Sequence, residues 1–292
     1  MVNVKKPNFF IVGAPKCGTT ALSEYLKIHP NIFICEPKEP NFFCLDFPRI
    51  REVKSLNEYL QLFQNAGEEK LAIGEASSRY LYSSVAIKKI YEFNSNAKII
   101  IMLRNPVDMI YSFHSQQVFN LDEKVKDFKR AWQLQSVRKG PFTQYFKIGL
   151  LGLQVERVYR IFPREQIFII LFEDFVNATN KVYEDVQRFL NVPLWVKNYF
   201  PRFNPNKTHK YFIIAKLVKN TPNFLTYPIF MLKKIFNIQQ IGILDKLWRA
   251  NIKVQERKPL PIEFRKKLLE MFKPDIQRLS RIIQKDLDHW LE

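Results

Sequence analysis

Cysteine is scarce in this 292-residue chain: Cys17, Cys35 and Cys44 form an odd set confined to its first sixth. That excludes a disulfide framework as the source of stability and points to a reducing compartment. No stretch reaches the roughly 18 uninterrupted apolar residues of a membrane span. The first strand begins soon after MVNVKK, too early for a cleavable signal peptide. The expectation is a cytoplasmic protein with no transmembrane segment. Repeats and low-complexity linkers are also missing, so a single domain over 1–292 is expected. Acid is the last deficit, with 28 Asp and Glu against 46 Lys and Arg, a formal net charge of +18. This excess attracts anions, whether nucleotide, nucleic acid, acidic sugar polymer or membrane surface, without choosing among them.

What is present is organised around residues 8–25, NFFIVGAPKCGTTALSEY. Phe9 to Val12 form an apolar run bounded by Gly13, as in a strand buried on both faces of a parallel sheet. Leu22, Tyr25 and Leu26 then recur at helical spacing. Between them lie flexible glycines, the cation of Lys16, the hydroxyls of Thr19 and Thr20 and a run of backbone N–H groups at a helix start. Orphan N–H donors and the helix dipole both favour negative charge there, so the loop is expected to hold an anion. Cys17 within it is read as a small packed side chain.

Further along, His29-Pro30 ends the first helix, with a structural role for His29. Residues 36–43, EPKEPNFF, form a proline-stiffened loop that reads either as a site of chemistry or as a solvated turn. Residues 70–76 predict a strand ending in Glu75, with Ser77, Ser78 and Arg79 following where ligand loops of a parallel sheet lie. Residues 97–103, AKIIIML, are the strongest buried-strand signal and end in Arg104-Asn105-Pro106. Asn105 suits an N-cap and Pro106 a first helical residue. Arg104 and Ser112 could converge on an anion, or Arg104 could be a structural ion-pair partner. Helices are expected over 122–135, 149–162 and 182–190, a strand over 166–172, and a C-terminal amphipathic helix carrying Ile276, Leu279, Ile283 and Leu287 and packed on the sheet. Strands alternating with helices predict an α/β fold: three layers, P-loop-like, with a central parallel sheet flanked by helices and a helical C-terminal part. The apolar stretch 224–244 reads as a buried helical hairpin, an acceptor-site lid or a membrane-touching surface.

A kinase or nucleoside-triphosphate hydrolase is one candidate for such a loop, and a non-enzymatic nucleic-acid binder is another. Gly13 and Gly18 keep the P-loop interval, but Thr19 stands where that loop carries Lys, and the cation is Lys16 instead. Glu173-Asp174 could imitate the metal-holding acid of such enzymes.

Residues 15–20, PKCGTT, resemble the 5′-phosphosulfate loop of sulfotransferases that use 3′-phosphoadenylyl sulfate (PAPS). Arg104-Asn105-Pro106-Val107-Asp108 with Ser112 resembles their 3′-phosphate motif, Glu173-Asp174-Phe175 an acidic strand end of the family, and 259–291 the C-terminal part of bacterial and heparan-sulfate-type members. The resemblance implies a donor site of Lys16, Cys17, Gly18, Thr19, Thr20, Arg104 and Ser112, with Lys16 stabilising charge on the departing bridging oxygen. It implies PAPS as donor, adenosine 3′,5′-bisphosphate as product and no required metal. Glu39-Pro40-Asn41-Phe42-Phe43 resembles the segment carrying the heparan-type base, making Glu39 the expected base, with Glu75 second. Asn41, Phe42, Glu75 and Arg79 complete the expected acceptor contacts. Two positions depart from the heparan-type pattern. Ala76 replaces a Lys, and the Gly-containing 3′-phosphate loop is unmatched, its role falling to Arg257 and Lys258. The acceptor implied is a hydroxyl or amine, on a carbohydrate or a lipid-linked or glycolipid molecule, with peripheral membrane contact and no nucleic-acid partner. His114 and His209 match no partner motif and are read as polar surface.

Overall fold

The computed structural model describes residues 5–138, 140–197, 199–201, 206–219 and 248–292. The apolar stretch 224–244 lies outside them. Five strands follow the apolar runs: β1 Phe9–Gly13, β2 Ile32–Ile34, β3 Ala72–Ala76, β4 Lys98–Leu103 and β5 Ile167–Leu171. They form one parallel sheet in the order β2-β3-β1-β4-β5. β1 is central, with Phe9 opposite Gly74 on one side and Lys98 on the other. All five of its residues are buried, which is why it reads as unbroken apolar sequence. Gly74 is required by that approach, since a Cβ there would lie 2.4 Å from the Phe9 carbonyl oxygen.

The main helices are α1 Thr19–Lys27, α2 Leu56–Gln61, α3 Ala86–Phe93, α4 Pro106–Phe119, α5 Phe128–Gln133, α6 Tyr145–Gly149, α7 Leu151–Tyr159, α8 Phe172–Asn177, α9 Thr179–Leu190, α10 Phe212–Lys219 and α11 Ile262–Ile283. The sheet is thus flanked by helices, as an α/β reading requires. From β1 the chain runs outward to β2, and from β4 it runs the other way to β5. The strand order therefore reverses between β1 and β4, and a crevice opens beyond their carboxyl ends. The loop 14–18 and Arg104 stand there.

Asn105 caps α4 as its sequence predicts: its side-chain oxygen accepts from the N–H of Val107 at 2.9 Å, with Pro106 in the first turn. The expected helix over 122–135 shortens to α5. Glu123 instead accepts hydrogen bonds from Arg138, from the Tyr145 hydroxyl at 2.7 Å and from the Val125 N–H at 2.7 Å, and this holds the preceding residues as a loop. The C-terminal helix ends at Ile283, so Leu287 lies beyond it. It packs on α7 and α4, and Asp275 accepts from the N–H groups of Gly152 (2.7 Å) and Leu153 (3.0 Å) at the start of α7. Among the described residues no helix is long and apolar enough to cross a membrane.

Candidate active site

A cleft of about 750 Å³ at the switch point gathers Lys16, Gly18, Thr19 and Thr20 after β1, Glu39, Ser78 and Arg79 beside β3, Arg104 and Ser112 after β4, and Asn206 and Arg257 from later in the chain. Two backbone conformations shape the loop after β1. Gly18 caps α1 at φ 94°, and Lys16 adopts φ 64°. The left-handed region costs a non-glycine residue roughly 1–2 kcal/mol, a cost often met where a loop is built for a ligand. Cys17 between them turns inward and is fully buried, and burial pushes its thiol up to about 12. It is a packed side chain, as its sequence context predicts.

The Lys16 ammonium donates to Gln116 Oε1 at 3.1 Å. Burial first, then Arg257 and Arg104, draw its pKa down to about 8, against the opposing pull of Glu39. This mutual influence means that the charges share one field. Arg104 lies over the Phe172 ring at 4.5 Å. Arg257 follows the antiparallel pair β6 Lys207–His209 and β7 Ile252–Val254. Asn206 and Gln255 tie the open end of that pair by two bonds, Gln255 N–H to Asn206 O at 3.1 Å and Asn206 Nδ2 to Gln255 O at 2.8 Å. Arg257 then donates from Nε to Ser115 Oγ (2.9 Å) and from Nη2 to Ser112 Oγ and Asn206 Oδ1 (both 3.1 Å). Among the described residues, none of Lys16, Arg104 and Arg257 makes a salt bridge. Sequestered cations are ordinarily paired with acids. Three without an acidic partner among the described residues give this cleft a field that favours an anion of high charge.

Glu39 faces the same cleft from the loop after β2, itself at φ 60°. Its Oε1 accepts from Ser78 Oγ at 2.7 Å and its Oε2 from Arg79 Nη1 at 3.0 Å, with Lys38 Nζ at 3.4 Å. Burial raises its pKa, but Lys38, Arg79 and the Ser78 hydroxyl outweigh burial and hold the carboxyl below its ordinary value. It is ionised at neutral pH.

The remaining expected residues stand elsewhere. Glu75 is fully buried beneath the cleft floor, accepting from Tyr59 Oη (2.6 Å), Tyr80 Oη (2.9 Å) and Ser77 Oγ (2.7 Å). Burial pushes it up to about 7 despite those hydroxyls. The same strand end that made it look reachable places it in the core. Asn41 is buried, with its Nδ2 on the Glu39 carbonyl at 2.7 Å, and Phe42 stacks on Tyr59 at 4.4 Å. Lys258 lines a neighbouring cavity and not this cleft. His114 is buried, not surface, with Nε2 2.8 Å from the Val125 carbonyl. His209 is half-buried and stacked on Phe119 at 4.5 Å. His29 is structural as expected, its Nε2 3.0 Å from Pro193 O. Gln116, Ser115 and Asn206 were missed. Gln116 was legible as one turn beyond Ser112 on the same helix, whereas Asn206 had no local signal.

The sulfotransferase-domain family model matches residues 6–227. The chain belongs to that family. Its fold is shared with the solved structure of a sulfotransferase from Alicyclobacillus acidocaldarius, 28% identical over 99% of this chain and 100% of that one, with a TM-score of 0.73. Among curated sulfotransferases it is 25% identical over 245 residues to carbohydrate sulfotransferase 15 of Mus musculus, covering 64% of this chain and 44% of that protein. It is also 25% identical over 208 residues to heparan sulfate glucosamine 3-O-sulfotransferase 5 of Mus musculus, covering 69% and 58%. The chain thus spans less than two thirds of the length of these curated relatives. The sulfotransferase match contains Lys16, Glu39, Arg104 and Ser112, while Arg257 lies beyond it. The kinase and nucleic-acid readings are not favoured. Glu173 is engaged by Trp290 Nε1 at 2.7 Å and His289 at 3.0 Å, and Asp174 by Lys285 at 3.2 Å, away from the cleft.

Proposed function

We propose that this sulfotransferase-family chain moves a sulfuryl group from PAPS to a hydroxyl or amine acceptor, with a carbohydrate or glycolipid as the acceptor class. The observation that carries the reading is the convergence of Lys16, Arg104 and Arg257 in one cleft without acidic partners among the described residues. PAPS presents anionic groups on both its 5′ and 3′ positions, and a site built of backbone N–H groups and unpaired cations suits both. The Gly18, Thr19 and Thr20 amides would hold the 5′-phosphosulfate. Arg104, Ser112 and Arg257 would hold the 3′-phosphate, the guanidiniums by charge-assisted hydrogen bonds. Names of the curated relatives support the carbohydrate class.

In the reaction an acceptor oxygen or nitrogen attacks sulfur in line. Its new bond to sulfur forms as the bond from sulfur to the bridging oxygen breaks, and adenosine 3′,5′-bisphosphate leaves with that electron pair. Lys16 would stabilise the charge developing on that oxygen, and Glu39, already ionised, would take the acceptor proton. A low-pKa carboxylate is a weak base, so its contribution is greatest late in transfer, when the acceptor proton has become acidic.

Calorimetry with adenosine 3′,5′-bisphosphate against ATP plus magnesium tests the donor. Tight ATP binding without bisphosphate binding would sink the reading. Glu39→Gln is expected to reduce transfer to a small residual rate and leave bisphosphate binding nearly intact, and full activity in that variant would remove Glu39 as the base. A library of hydroxyl and amine acceptors screened with labelled PAPS identifies the acceptor.

A further inference from the structure

Glu75 is fully buried and has no cationic partner among the described residues, only the hydroxyls of Tyr59, Ser77 and Tyr80. A carboxylate in the core is costly to keep, and an apolar side chain of similar shape would serve packing better. Two of its three donors continue onward to the same place. Ser77 Oγ accepts the Asn41 N–H at 3.1 Å, and Tyr80 Oη accepts the Phe43 N–H at 3.4 Å. Both arms thus end on the loop that carries Glu39, one on each side of Phe42. The Asn41 side chain passes the constraint back through its bond to the Glu39 carbonyl, and the Glu39 N–H is fixed to Ala76 O at 3.1 Å, next to Glu75 itself. Glu39 and Asn41 both sit at positive φ, 60° and 50°, conformations that persist only where the surroundings over-determine them.

We propose that Glu75 is the positioning residue for Glu39: its buried carboxylate orients Ser77 and Tyr80, which clamp the loop so that the Glu39 side chain enters the cleft. The proposal rests on the reading of Glu39 as the proton acceptor. Glu75 touches neither donor nor acceptor. It acts three hydrogen bonds away, through Ser77 and Asn41, on the placement of a group whose misplacement by about 1 Å can cost a hundredfold in rate.

Two variants test it. Glu75→Gln keeps the shape but presents an amide where Ser77 donates, and Ser77→Ala removes the arm to Asn41 while leaving Glu75 in place. Transfer from labelled PAPS is followed to the acceptor returned by the library screen, or to water where none is returned, with bisphosphate binding measured alongside. Both variants are expected to lower kcat by about 10- to 100-fold while bisphosphate affinity changes less than about twofold, because the donor cradle is held by other elements. Neither is expected to lower the residual rate of Glu39→Gln further, a non-additivity that a general loss of structure does not produce. Amide exchange at Asn41 is expected to speed by about tenfold or more in Ser77→Ala, with Gly18 to Thr20 unchanged. Wild-type kcat in Ser77→Ala, a parallel loss of bisphosphate binding, a full further loss on the Glu39→Gln background, or unchanged Asn41 exchange each overturns the proposal. If Glu75→Gln does not fold, Ser77→Ala decides alone. Full activity in Glu39→Gln is a separate outcome, since it removes the base assignment without any change at Glu75.

Discussion

Arg257 and Ser112 stand 145 positions apart in the chain and 3.1 Å apart in space. The serine hydroxyl orients the guanidinium without neutralising it, as do Ser115 and Asn206 on its other N–H groups. Burial and the neighbouring Arg104 both work against the Arg257 charge, and its pKa is lowered. Such a cation is held in place at an electrostatic cost that a phosphate would relieve. Hydrogen bonds to charged groups contribute about 1.5–3 kcal/mol, so Arg257→Ala is expected to weaken adenosine 3′,5′-bisphosphate binding by about 10- to 150-fold. Preference for the bisphosphate over adenosine 5′-monophosphate, which differs only in the 3′-phosphate, should fall by the same factor. Lys258→Ala should change binding by less than about twofold, in keeping with a side chain outside the cleft. Calorimetry with both nucleotides decides it, and an unaltered preference in Arg257→Ala would remove that residue from the 3′-phosphate site.

That pairing shows what could and could not be read from the chain. β1, β3 and β4 announce themselves because burial on both faces demands unbroken apolar sequence, and their carboxyl ends mark Lys16 and Arg104 as neighbours in any switched parallel sheet. Asn105-Pro106 marks a helix start through local chemistry alone. Glu75 misled because a carboxylate at a strand end looks the same whether it meets solvent or three hydroxyls from separate elements. The charged residues 122–127 matched a helical reading, yet one tertiary ion pair, Glu123 with Arg138, outweighs that weak local preference. Arg257 was legible only as a basic residue near the expected place, because what brings it to Ser112 is the pairing of β6 with β7, and no local pattern specifies that.

Lys16 gives donor binding a pH dependence of definite sign. In the free protein it loses its proton through about pH 8, for the reasons of burial and neighbouring arginines already described. A bound polyanion favours the ammonium and raises that pKa, so above pH 8 binding must take up a proton. Affinity is therefore level with respect to this group at lower pH and falls as pH rises through 8, by up to about tenfold per pH unit. Bisphosphate calorimetry in two buffers of different ionisation enthalpy measures both the affinity and the proton uptake. Lys16→Met supplies the baseline that removes the ligand's own titration. Identical pH profiles for the variant and the wild type would show that Lys16 is not coupled to the donor.

Arg79 sets the working range of Glu39. Burial alone would raise the Glu39 carboxyl, and Lys38, Arg79 and Ser78 reverse it to a net lowering. Arg79→Ala removes one of the opposing charges while Glu39 stays half-buried, so the Glu39 pKa rises. A base works only when deprotonated, and the acid limb of the kcat profile should move to higher pH in the variant, with activity at alkaline pH recovering relative to neutral pH. Loss of an acceptor contact alone would instead raise KM at every pH and leave the limb where it was. Among the described residues the Arg79 Nε is buried without a hydrogen-bond partner, and the guanidinium rests 5.1 Å from the Phe142 ring, so Arg79→Lys is not expected to restore the wild-type profile.

The C-terminal end of the chain braces the cleft from behind. Trp290 is 3% exposed; its Nε1 donates to Glu173 Oε1 at 2.7 Å, and its carbonyl accepts from Asn105 Nδ2 at 2.7 Å, one residue from Arg104. Two contributions can be separated by substitution. Trp290→Ala removes the buried rings and should destabilise by about 3–5 kcal/mol. Trp290→Phe keeps much of the packing but leaves Glu173 without that donor, and should cost about 1–3 kcal/mol. Urea unfolding measures both, and equal losses in the two variants would mean that the hydrogen bond to Glu173, not ring burial, is what the tail contributes. The Trp290 carbonyl holds the Asn105 side chain whose oxygen caps α4, and the buried ring anchors that carbonyl, so Trp290→Ala should also loosen the register of Arg104. Bisphosphate affinity is then expected to fall in Trp290→Ala and to stay near wild type in Trp290→Phe, where a buried ring still anchors the backbone contact.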